Sequence, residues 1–139
     1  MSLEQLFHKV ESHLFTFGQQ IYRDHAAELL DEEHELSADL FREEASLQAV
    51  REEMQASRQR LKQSEVEAAH LASRVECYLH IHDGPNAYQH AMRLDEARGS
   101  IAADRVSLRR ALRRERDHLE RIRELEDRLS TLRKRLAKG

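Results

Sequence analysis

A single interruption constrains this chain more than any other feature. The stretch His80-Ile81-His82-Asp83-Gly84-Pro85-Asn86 holds the only proline and one of the four glycines in 139 residues. Proline lacks a donor N–H and disfavours the helical region for the residue before it. Elsewhere the chain is dominated by Ala, Leu, Glu, Arg, Gln and Lys, the strong helix formers. From Leu3 to Ile81 there is no proline and one glycine, Gly18. The pattern predicts an all-α antiparallel coiled-coil hairpin, with a helix over about 3–81, a turn over 82–86 and a returning helix over about 86–138. A left-handed Gly84 is expected to end the first helix, and Asn86 or Pro85 to open the second.

The first arm opens with Ser2 and Gln5, the spacing of a capping box. Leu3, Leu6, Val10, Leu14, Phe17 and Ile21 then form a helical stripe. Phe15, Tyr22, Leu29 and Leu36 run beside it at intervals of seven, and Phe7 adds to the width of the face. Beyond Leu36 the pattern narrows to one heptad seam. One line is Leu40, Leu47, Met54, Leu61, Ala68 and Val75; the other is Leu36, Glu43, Val50, Ser57, Ser64, Leu71 and Tyr78. A seam at this period is the mark of a coiled coil.

The second arm has a main line of Leu94, Ile101, Leu108, Glu115, Ile122, Leu129 and Leu136. The companion line is read as Ala91, Arg98, Arg105, Leu112, Leu119, Glu126 and Arg133, with Leu125 and Leu132 off the seam. Facing residues in an antiparallel hairpin have a constant sum of numbers. A sum of 169, centred on Gly84-Pro85, pairs Val75 with Leu94, Ala68 with Ile101, Leu61 with Leu108, Val50 with Leu119 and Leu40 with Leu129.

The arms are unequal. The whole of 1–139 reads as one helical-hairpin domain, with 31–138 paired and 1–30 left as an overhang. The overhang carries the wide apolar face, which needs a cover. Its expected role is dimerisation or docking of another helical protein through Leu3, Leu6, Phe7, Val10, Leu14, Phe15, Phe17, Ile21, Tyr22 and Leu29. A homodimer with a four-helix region is the first expectation; a fold-back at Gly18 into a three-helix bundle is the alternative.

Other chemistry is sparse. Cys77, His80, His82 and His90 near the turn are acceptable transition-metal ligand types, but C-x2-H-x-H lacks the paired spacing of a structural zinc site. No metal or other cofactor is expected, and Cys77 reads as a small packing residue. No Ser, Cys or His constellation suggests nucleophilic catalysis, so the expectation is a protein without enzymatic activity. Residues 1–85 carry 8 Lys/Arg against 17 Asp/Glu, and residues 86–139 carry 15 against 9. The arginine block Arg109, Arg110, Arg113, Arg114, Arg116, Arg121 and Arg123 is a candidate for nucleic acid, but acidic residues interrupt it and no aromatic is interleaved. Pairing with Asp39, Glu43, Glu44, Glu52 and Glu53 of the first arm is the expectation instead. The N-terminal polar face has Glu4, His8, Lys9, Glu11 and Ser12 rather than a lysine belt, which argues against a membrane. The single cysteine, with no signal-peptide pattern and no apolar span, suggests a cytoplasmic protein.

The expected function is that of a structural adaptor or scaffold working through helix–helix contacts. In outline alone, the two long arms about Gly84-Pro85 resemble the helical-hairpin stalk proteins of flagellar and type III secretion export machinery. That resemblance implies an ATPase-complex partner and export chaperoning. The same outline resembles membrane-remodelling helical hairpins of the phage-shock type. No motif is shared with either, and no residue role follows from them.

Overall fold

The computed structural model describes residues 2–138. Helix α1 spans Leu3–His80 and helix α2 spans Gly84–Lys138. They pack against each other as an all-α hairpin, with no strand among the described residues.

The capping box forms as the spacing predicts. The Gln5 backbone N–H donates to Ser2 Oγ, and the Ser2 N–H donates to Gln5 Oε1, both at 3.3 Å. α1 then passes unbroken through Gly18, so the fold-back at that residue does not occur. An exposed mid-helix glycine costs only about 1 kcal/mol, which a long helix absorbs.

The reversal differs from expectation in which residue does what. His82, not Gly84, takes the left-handed conformation, with φ of 58°. Its N–H bonds to the Leu79 carbonyl at 3.1 Å, and the Asp83 N–H bonds to the Tyr78 carbonyl at 2.9 Å. These two bonds make a Schellman motif. Asp83 then caps α2: its Oδ1 accepts from the Asn86 N–H at 3.3 Å, and its Oδ2 from the Asn86 side-chain amide at 2.7 Å. The Ala87 N–H closes the first helical bond onto the Asp83 carbonyl at 3.1 Å. Asp83 is therefore the N-cap, and Asn86 sits three residues inside. Gly84 has negative φ and is the first helical residue.

This tighter turn moves the register. The hairpin divides into two units, one formed up to Glu43 and from Arg121, the other over Glu44–Glu120. In the first, Leu36, Leu129 and Leu132 form the buried core, with Leu29, Leu40 and Leu125 packed on it. In the second, Val50, Met54 and Ala111 form the core, with Leu108 against them. The covered positions of the two helices mirror each other about a sum of 165, not 169, as for 36 and 129 or 54 and 111. The centre of the reversal lies two residues earlier than Gly84-Pro85, because His82 and Asp83 make the turn.

The shift of one helical turn changes the companion line of α2. Covered positions there run His90, Ala97, Asp104, Ala111, His118, Leu125 and Leu132. Leu112 and Leu119, expected in the seam, are each 38% exposed. Leu125 and Leu132, expected outside it, are inside. The α1 lines fall where the sequence puts them: covered residues continue at alternating spacings of three and four from Ala26 to Tyr78. Ser57 is buried in this line and accepts a hydrogen bond from the Arg60 guanidinium at 3.1 Å.

A candidate interaction surface on the N-terminal segment

The covered line of α1 begins at Ala26. Before it, residues 2–25 are all exposed. Leu3, Leu6, Phe7, Val10, Leu14, Phe15, Phe17, Ile21 and Tyr22 are 49–72% exposed, the largest run of apolar side chains facing solvent. Leu29, expected among them, packs instead on the core of Leu36, Leu129 and Leu132.

The helix sorts these residues onto two faces. Carrying the covered line backward from Leu29 by sevens reaches Tyr22 and Phe15, so these two lie on the α2 side of α1. Tyr22 accordingly lines an open groove of about 360 Å³ with His25, Ala26, Leu29, Arg135, Leu136 and Lys138. Leu3, Phe7, Val10, Leu14, Phe17 and Ile21 have their own alternating spacing of four and three. At 100° per residue this stripe is centred ~120° around the helix from the covered line. It is thus a separate face. The sequence showed both lines but not that the first belongs to no intramolecular seam. The signal was present in the phase break between Ile21 and Ala26.

Continuing the stripe beyond Ile21 gives Asp24, Glu28, Asp31 and Glu35, all exposed. The apolar face therefore ends in an acidic one on the same side of α1.

The turn residues do not come together as a ligand set. Cys77 is exposed and unpaired as a thiol, contrary to the packing role expected of it. His80 and His82 are exposed, whereas His90 is buried. Its Nδ1 lies 2.8 Å from the Asn86 carbonyl, which accepts the ring proton, and its ring stands 4.9 Å from that of Tyr78. Among the described residues, no three His, Cys, Asp or Glu side chains are grouped to hold a metal ion.

The arginine block is paired only in part. In the second unit, the Arg114 guanidinium donates both nitrogens to Glu53, at 2.7 and 3.4 Å. Arg51 meets Glu115 at 3.2 Å and Arg105 meets Glu65 at 3.1 Å. In the first unit, Arg121 meets Glu43 at 3.4 Å and Arg133 meets Glu33 at 3.2 Å. Arg110, Arg113, Arg116 and Arg123 are exposed and form no ion pair among the described residues. The expected pairing therefore holds for Arg114 and Arg121, and the outward-facing arginines lie too far round the helix to reach the first arm. No described helix is long and apolar enough to cross a membrane.

No protein-family model, no curated protein and no solved structure matches this chain. The functional reading therefore rests on the surface itself.

Proposed function

We propose that this protein is a non-enzymatic coiled-coil adaptor that acts by helix–helix contact, with the N-terminal segment of α1 as its docking surface. The observation that carries this reading is the run of nine exposed large apolar side chains from Leu3 to Tyr22. An apolar patch of that extent is costly in water and marks an interaction site. Its presentation on one helix, at heptad-like spacing, suits a second helix laid along it. The covered lines of both helices, alternating three and four, support the coiled-coil description. The partner is helical: a second copy of the chain, another helical protein, or both in turn. The lone free thiol of Cys77 suits a reducing, cytoplasmic setting, which belongs to the same proposal.

The test is the full-length double variant Phe7→Asp, Phe17→Asp. Both positions are exposed, so the hairpin itself loses no packing. Sedimentation of the purified chain and cross-linking in cells would show wild-type association with itself or with a helical protein. The variant would lose that association while keeping the wild-type unfolding midpoint at the lowest protein concentration. Equal association by wild type and variant would overturn the reading.

A further inference from the structure

We infer that the occupant of the Leu3–Ile21 stripe is a second copy of this chain, bound antiparallel about a two-fold axis at the level of residue 12. The inference rests on the docking reading above and names the partner and its direction.

The first argument is size. The six stripe side chains and the flanking Leu6, exposing on the order of 100 Å² each, amount to roughly 700 Å² per chain, or about 1,400 Å² between two. Specific stable interfaces bury about 1,200–2,000 Å² in total, and the largest patch on an ordinary monomer is about 300–600 Å². The segment alone is therefore large enough for a dimer.

The second argument is symmetry. Leu3 and Ile21, Phe7 and Phe17, and Val10 and Leu14 are each equidistant from residue 12. A two-fold interface requires that if residue i meets j, then j meets i. Antiparallel pairing of two such stripes lays Phe7 on Phe17 of the copy, Val10 on Leu14 of the copy, and Leu3 on Ile21 of the copy. All six layers are apolar in that one register. The alternating spacing makes the stripe reversible, so symmetry permits this pairing, and the charges beyond the stripe choose its direction.

The third argument is charge. Parallel pairing would continue past Ile21 and set Asp24, Glu28, Asp31 and Glu35 against the same four residues of the copy. Like charges at facing helix positions are destabilising. Antiparallel pairing separates the two acidic runs to opposite ends of the interface and brings Asp24 level with the first turn of the other α1. There Asp24 meets the positive end of the helix dipole at the Ser2-capped first turn. One like-charged meeting remains, Glu11 with Glu11 of the copy beside the axis.

Two full-length chains decide it, one Leu3→Cys and one Ile21→Cys, each also carrying Cys77→Ser. The two positions are ~27 Å apart along the helix, and a disulfide needs Cα atoms within about 7 Å. Mixed and oxidised, they are expected to form a disulfide between one chain and the other, while each chain alone forms none. Wild type is expected to sediment at twice the mass of one chain. Phe7→Asp, Phe17→Asp is expected to sediment as one chain, and Phe41→Ser, off the stripe, to leave the dimer intact. Disulfides within each variant alone, without the mixed product, would show parallel pairing and overturn the inference. A dimer with neither product would overturn it as well. A wild-type monomer would overturn the second copy as occupant. The docking reading would then stand or fall separately, on whether Phe7→Asp, Phe17→Asp loses a cross-linked helical partner in cells.

Discussion

His82 alone among the described non-glycine residues has positive φ. A side chain in the left-handed region costs about 1–2 kcal/mol, partly recovered here by the two bonds of the Schellman motif. His82→Gly removes that cost and adds some unfolded-state freedom, so it should stabilise the hairpin by about 0.5–1 kcal/mol. Asp83→Ala removes both the N-cap acceptor and the Asn86 amide partner, and should destabilise it by about 1 kcal/mol. Urea unfolding measures both, and opposite signs for the two neighbours are the signature. The sequence marked this stretch as the reversal because of Gly84-Pro85. It did not show which residue would turn, because His, Asp and Gly all tolerate such positions and the choice depends on where the two helices must meet.

That choice propagates through the elements. Moving the reversal by two residues changes the facing sum by four, about one helical turn, so the α2 main line stays in the seam but meets the Leu36 line of α1 instead of the Leu40 line. Only the companion line of α2 changes, from one flank of the main line to the other. The two flanks each contain two leucines, Leu112 and Leu119 against Leu125 and Leu132. The true flank also hides three polar residues, His90, Asp104 and His118, among its covered positions. Hydrophobic counting could not separate them. Mutation can: Leu132→Ala and Leu36→Ala, in the buried core of the first unit, should each cost about 2–4 kcal/mol. Leu119→Ala, 38% exposed, should cost under about 1 kcal/mol. Comparable losses at Leu119 and Leu132 would refute the register. The ion pairs between helices weigh less. Glu53→Gln breaks the two-bonded contact with Arg114, yet both side chains are about half exposed. It should cost under about 1 kcal/mol and fade as salt is raised.

For the whole molecule, the N-terminal segment adds nothing to the hairpin's own core and much to its apolar surface. Association through it should make the unfolding midpoint rise with protein concentration. Phe7→Asp, Phe17→Asp should abolish that dependence without lowering the midpoint at the lowest concentration. A midpoint independent of concentration in wild type would count against a second copy as partner. Nine of the ten residues expected to form this surface stand exposed. Leu29 is the exception, because the end of α2 reaches far enough to cover it. The acidic continuation of the stripe gains its meaning only from the placement of this face away from α2.

By itself the sequence determined two long helices, the reversal between them, the heptad lines of the first arm and the apolar character of its beginning. Helix propensity, a single proline and periodic leucines are local signals, and local signals survive without coordinates. Only the tertiary structure decided the register, the true companion line of α2, the place where intramolecular cover ends, and the face on which the N-terminal stripe lies. Those depend on where the two chains of positions meet in space. A change of two residues at the turn, set by His82 and Asp83, is enough to rearrange them.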